Sequence, residues 1–141
     1  MAGPWASQML ADLGADVINV ERPGVGDDTR SWGPPFVAGE GGASTQGSGD
    51  SLCVNRGKRS VTVDISTPEG QKVIRELAGE CDIVIENFKV GTLQRYGLAY
   101  DDLRQVNPAL IYASITGFGQ DGPRANEAAY DFMIQAMGGL M

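Results

Sequence analysis

The chain contains no histidine. That absence excludes Ser-His-Asp and Cys-His nucleophilic catalysis within these 141 residues, and any His-ligated metal site. Chemistry here must use carboxylates, Lys, Arg, Tyr or backbone groups, and no metal is expected. Positive charge is scarce: 11 Lys and Arg against 18 Asp and Glu leave a net charge of −7. A nucleic-acid binder normally carries a basic face, so no nucleic-acid partner is expected. A local basic pocket for a phosphorylated ligand stays allowed. No apolar run approaches the ~20 residues that span a membrane, and no membrane partner is expected. The first residues show no basic stretch followed by an apolar one, so no signal peptide is read. Cysteine is rare as well: Cys53 and Cys81 stand far apart and read as reduced thiols of a cytoplasmic protein.

What is present reads as one soluble domain, residues 1–141, with 42% hydrophobic residues to build a core. Pro4 can open a helix, Met9, Leu10 and Leu13 give it an apolar stripe, and Gly14 ends it. Val17, Ile18 and Val20 follow as a short strand, and Arg22 sits where that strand gives way to a loop. Residues 21–51 show little periodicity, and the Gly/Ser-rich stretch 38–51 reads as a mobile loop. Residues 60–65 alternate as a strand with Val61, Val63 and Ile65 on one face. A helix follows, with Ser66 or Thr67 as cap, Pro68 in its first turn, Glu69 closing a capping box with Ser66, and Val73, Ile74 and Leu77 as its stripe. A strand over 82–86, short helical stretches over 92–96 and 100–106, a break at Asn107-Pro108, a strand over 110–116 and a helix over 130–137 complete the order. Strands alternating with helices predict an α/β fold, a parallel sheet layered with helices.

Gly117, Gly119 and Gly122 match G-x-G-x-x-G after a strand. A dinucleotide site needs a helix N-terminus at that point. Asp121 adds negative charge there and Pro123 follows at once. A glycine-rich turn is the simpler account, with an NAD- or FAD-binding domain as the competing one.

The segments AGP, ADLGADVINVERPGVGDDTR, WGPPF, NRGKRSVTVDI, PEG, DIVIENF, NPALIYASITGFGQDGP and AAYDFMIQAMGGLM occur in that order along nearly the whole chain. Together they resemble the N-terminal part of a class III CoA-transferase, the superfamily of formyl-CoA transferase, carnitine CoA-transferase and methylacyl-CoA racemase. The wording is closest to the dicarboxylate branch, of succinyl or hydroxymethylglutarate type. The resemblance implies a Rossmann-like CoA-binding portion of the large domain, truncated here at both ends. It also implies an interlocked homodimer for the full-length enzyme. The implied reaction moves CoA from an acyl-CoA donor such as succinyl-CoA to a carboxylic acid, through an aspartyl anhydride and an aspartyl thioester. The nucleophilic aspartate is expected beyond Met141, no acidic residue here matches its surroundings, and the isolated chain is expected to be inactive.

CoA carries a 3′-phosphate and a pyrophosphate, so its site needs several cationic donors. Arg22, Arg56, Lys58, Arg59, Lys89 and Arg95 lie near strand ends or in adjoining loops, and each alone reads as a solvated surface charge sooner than as a ligand contact. Matched to the family pattern, Arg22 resembles the arginine that contacts the nucleotide. Asn87, Phe88, Lys89 and Arg95 resemble the segment that closes over the cofactor, and the stretch from Val63 to Ser66 another lining segment. Relatives often carry lysine where this chain has Ser66, which removes one phosphate contact and leaves a helix cap as its plain role. Ala2, Tyr130 and Asp131 match the acyl end of the site; Asp131 also suits a helix N-terminus. Tyr130 stands where racemases place a histidine base, which argues against racemisation. Met1 stands where formyl-CoA transferases use a glutamine, a hydrogen bond methionine cannot replace. An acyl-CoA racemase and a non-catalytic CoA-binding or dimerisation module are the alternatives.

Overall fold

The structure, a computed structural model, describes residues 2–141; Met1 lies outside the described residues. It shows an α/β chain whose contacts group it into two compact units, residues up to Gly70 and residues from Gln71 onward.

The first unit opens with α1 (Ala2–Asp12), followed by β1 (Ile18–Glu21), β2 (Phe36–Ala38), β3 (Ser44–Ser48), α2 (Gly49–Asn55) and β4 (Arg59–Thr62). β1 and β4 run parallel in the register Ile18↔Arg59 to Glu21↔Thr62. The ladder continues past β4, where Val63 N–H donates to Glu21 O at 2.9 Å. Parallel strands need a long crossover, supplied here by the β2–β3 antiparallel hairpin and α2.

The stretch read as a mobile loop therefore holds strands and a helix. Ser48 explains it. Its Oγ caps α2 by accepting from Ser51 N–H at 3.0 Å and donates to Thr29 O at 2.5 Å, fully buried. Val54 of α2 is also fully buried. A second correction concerns α1. Met9 and Leu13 are 58% and 85% exposed, and its buried residues are Gly3 and Gln8. Small and polar residues face inward because α1 lies against α2 and is tied by Lys58, whose Nζ donates to Pro4 O and Ser7 Oγ.

The second unit contains most of α3 (Pro68–Glu80), then β5 (Ile83–Glu86), α4 (Tyr100–Leu103), β6 (Ile111–Ser114) and α5 (Asp131–Met137). The expected capping box of α3 does not form. Thr67 Oγ1 accepts from Gly70 N–H at 3.1 Å and is the cap, while Ser66 gives both its N–H and its hydroxyl to Asp64 in a turn before the helix. At the other end, Asn107 Nδ2 donates to Ala78 O and Cys81 O, satisfying carbonyls that a helix end leaves orphaned. β5 and β6 pair in parallel from Ile83↔Ile111 to Glu86↔Ser114. Ala78, Leu98, Leu103 and Leu110 are the buried apolar residues of this unit. Each buried leucine contributes about 1.5–3 kcal/mol of hydrophobic stabilisation.

Val73 is exposed, and of the expected apolar stripe Ile74 and Leu77 are half-buried, beside the buried Gly70 and Ala78. After Gly122 the chain turns, and the next helix begins only at Asp131. The G-x-G-x-x-G segment is thus a glycine-rich loop without the helix a dinucleotide needs. Among the described residues, no helix is long and apolar enough to cross a membrane.

Candidate functional site

β1 ends in a carboxylate that sequence reasoning missed. The Glu21 side chain is 3% exposed and accepts from Arg30 Nε at 2.7 Å and from a second Arg30 nitrogen at 2.8 Å. Ser60 Oγ donates to it at 2.7 Å and Asp27 N–H at 2.8 Å. The Arg30 hydrogen bonds outweigh the opposing effect of burial and hold the Glu21 pKa down at about 2. Gly26 makes the packing possible: at φ +73, a Cβ there would stand 2.7 Å from Arg30 Cδ and 2.9 Å from Glu21 Oε2.

The loop so held carries Arg22. Its guanidinium pairs with Asp28 at 2.6 Å, with both side chains largely in solvent. Val63 is buried and Ser66 is exposed, turned to Asp64. Ala2 is exposed in the first turn of α1.

Beside Glu21 a hollow of about 220 Å³ is lined by Arg30, Arg56, Lys58 and Arg59. It is basic in name only. Arg56 pairs with Asp12 at 2.5 Å and Arg59 with Asp16 at 2.5 Å. Lys58 is bound by Pro4 O, Ser7 Oγ and Asn55 Oδ1 at 2.8–3.1 Å, and burial pushes its pKa down. No cation here is left unengaged for a ligand.

The second unit differs. A cleft of about 290 Å³, near the lower end of ligand-pocket sizes, is lined by Asn87, Phe88, Lys89, Gly117, Glu127 and Tyr130, among others. Asn87 Nδ2 donates to Ile115 O at 2.6 Å, pinning the turn after β5 to the end of β6. Phe88 N–H donates to Glu86 Oε2 at 2.7 Å. Glu86 Oε1 also accepts the Ser114 hydroxyl, and Gln120 Nε2 donates to Ser114 Oγ. The Phe88 ring is 44% exposed, available as an apolar surface. Lys89 and Arg95 are exposed, and neither side chain has a polar partner among the described residues. Tyr130 is 76% exposed, immediately before α5. Gly117 closes the cleft wall: a Cβ there would lie 1.9 Å from Ala129 Cβ, so only glycine permits this approach. Arg124 lies over the Phe118 ring at 4.0 Å and pairs with Glu127, fixing the intervening loop.

Of the residues named from sequence, Asn87, Phe88, Lys89 and Tyr130 therefore share one cleft. Arg95, in the turn Gln94–Tyr96, does not line it. Asp131 accepts from Gln135 Nε2 at 2.6 Å within α5 and is not a lining residue either. Arg22, Val63, Ser66 and Ala2 belong to the first unit. Glu21, Arg30, Glu86, Ser114 and Gln120 were missed. Their only signal is that two strands, INVE and IVIE, each end in glutamate.

Comparison with known proteins covers all of this geometry. The model of CoA-transferase family III matches residues 1–141. The chain is 56% identical, over its whole length, to the succinate–glutarate CoA-transferase of Agrobacterium fabrum, of which it covers 35%. It is 52% identical to the succinyl-CoA:glutarate CoA-transferase of Homo sapiens, covering 31% of that protein. The crystal structure of a CaiB/BaiF family protein from Brucella suis superposes with a TM-score of 0.91 at 58% identity, over all of this chain and 36% of the other. The chain spans about a third of the length of these relatives.

Proposed function

The chain belongs to CoA-transferase family III, and on that premise we propose that it supplies CoA-binding elements to an enzyme moving CoA from succinyl-CoA to a dicarboxylic acid of glutarate type. The observation that carries this proposal is the second-unit cleft. It joins an apolar ring, Phe88, to a cation, Lys89, without a polar partner among the described residues, and Tyr130 lines the same cleft. An extended ligand with an aromatic base at one end and phosphates beside it needs that combination. Lys89 and Arg95 carry charge that no carboxylate among the described residues pairs with, so phosphates can claim it. Arg22 can be released from an exposed pair with Asp28 at little cost, since such pairs contribute about 0–1 kcal/mol. Val63 and Ser66 line the cofactor further, and Ala2, Tyr130 and Asp131 border the acyl end.

The proposed chemistry is nucleophilic. An aspartate carboxylate attacks the thioester carbonyl of the donor and expels CoA thiolate, giving a mixed anhydride. The thiolate attacks the aspartyl carbonyl and releases the donor acid. The acceptor carboxylate then displaces CoA thiolate from the aspartyl thioester, and the thiolate takes the acceptor acyl group and frees the aspartate. None of the acidic residues of this chain is assigned that role; Asp131 is held by Gln135. The proposal includes a Rossmann-like parent domain, an interlocked homodimer and a cytoplasmic location. Tyrosine at position 130, with an ordinary pKa near 10, is poorly suited to cycle a proton near neutral pH, which argues against an acyl-CoA racemase.

Calorimetry with CoA on the full-length enzyme tests the assignment. Lys89→Ala and Arg95→Ala should each weaken binding about tenfold or more, as loss of a charge-assisted contact does, with the loss shrinking at high salt. Arg59→Ala, in the first-unit hollow and not in this cleft, should leave affinity unchanged. A negligible effect at Lys89 would remove CoA from this cleft, and a negligible effect at Arg95, which lies outside it, would remove that residue from the contact.

A further inference from the structure

The same device closes two strands. β1 ends in Glu21 and β5 ends in Glu86. Each carboxylate turns forward and accepts a backbone N–H from the following loop, Asp27 for Glu21 and Phe88 for Glu86. Each also accepts the hydroxyl of a serine on the parallel partner strand, Ser60 of β4 and Ser114 of β6. In both cases the residues next along the chain are those proposed to meet CoA: Arg22 after Glu21, and Asn87, Phe88 and Lys89 after Glu86.

We propose that Glu86 is a positioning residue for CoA, fixing the Asn87–Phe88–Lys89 turn before the ligand arrives and not touching it. This rests on the assignment of CoA to the second-unit cleft. Both Glu86 oxygens are already used, Oε1 by Ser114 and Oε2 by Phe88 N–H. An anion three residues from a phosphate-binding Lys89 would repel CoA, so its presence is explained by the hydrogen bonds it makes inward. Ser114 passes the restraint on to Gln120, and Asn87 repeats it through Ile115 O. A turn held at both ends does not have to be ordered by the ligand. Ordering free residues on binding costs conformational entropy, and preorganisation removes that cost.

The test is a double-mutant cycle for CoA affinity in the full-length enzyme, with Glu86→Gln, Lys89→Ala and the double variant. Glu86→Gln should weaken CoA about tenfold, although it removes a negative charge that opposes the ligand. The double variant should be weaker than Lys89→Ala by clearly less than that factor, because two residues that act through one held turn couple. Ser114→Thr should keep near-normal affinity where Ser114→Ala loses it. Independently of CoA, the Phe88 amide should exchange with solvent about tenfold faster or more in Glu86→Gln, while the ladder amides of Val84 and Ala113 keep their rates. An unchanged Phe88 exchange rate, or strictly multiplied losses in the double variant, overturns the positioning role. Tighter CoA binding in Glu86→Gln overturns it too, showing that the carboxylate acts as a simple opposing charge. If Phe88 exchange rises but no variant, Lys89→Ala included, alters CoA affinity, the CoA assignment has failed and the proposal falls with it.

Discussion

The hollow beside β1 and the cleft beside β5 share a strand-terminal glutamate and a partner serine, yet they use charge in opposite ways. In the first unit, Arg30, Arg56 and Arg59 each face a carboxylate, and Lys58 is enclosed by three oxygens. In the second, the Lys89 and Arg95 side chains face no polar partner among the described residues. A cluster of basic residues is therefore a poor guide to an anion site, because internal pairing decides what remains for a ligand. Burial differs too: Glu21 is buried and matched by a cation, whereas Glu86 is half-buried and held by neutral donors alone.

The largest effect should come from breaking the charged member of this comparison. Glu21→Gln leaves Arg30 without its bidentate partner and should destabilise the first unit by about 3 kcal/mol, the lower end for a disrupted buried pair because Arg30 is 39% exposed. Urea unfolding measures it, and a loss below about 1 kcal/mol would mean that the pair is ornamental. The second effect is its pH counterpart. The Glu21 carboxyl titrates at about 2 when folded, against an ordinary value of 4.5. Its contribution is fully present above pH 4.5 and is lost as pH falls toward 2. Wild type should lose more stability across that window than Glu21→Gln, and parallel curves would contradict the pairing.

Glu86→Gln sharpens the contrast, with an expected stability cost of only about 1 kcal/mol, as for a neutral hydrogen bond. A cost matching that of Glu21→Gln would erase the distinction between the two ends. Smallest of all should be Arg59→Ala. Its pair with Asp16 has both side chains about two-thirds exposed, and the change should stay within about 1 kcal/mol in the same urea titration.

The periodic elements were largely legible in the sequence: β1, α3, β5, β6 and α5 lie close to where they were read, while the strand read over 60–65 ends at Thr62, because Asp64 draws Ser66 into a turn. The β2–β3 hairpin and α2 were not legible. Ser48 joins them by hydrogen bonds to Thr29 and Ser51, and a long-range serine contact has no periodic signature. The α1 stripe misled for the converse reason. Met9 and Leu13 have helical spacing, but Lys58 and α2 select the opposite face of that helix. At the site, Asn87, Phe88, Lys89 and Tyr130 came from the family pattern and share a cleft. The glutamates behind them escaped notice because a strand-terminal carboxylate looks like any solvated charge until its donors are seen.

The enclosure of Lys58 has a practical side. The chain has lysine only at positions 58, 72 and 89, which makes it a small covalent map of its own surface. An amine-reactive ester should modify Lys72 and Lys89 readily and Lys58 last. The depressed pKa of Lys58 would by itself hasten acylation, but an ammonium whose three N–H bonds point at Pro4, Ser7 and Asn55 has no lone pair to offer until the end of α1 lets go. The rate at which Lys58 is labelled therefore serves as a clock for the opening of that helix.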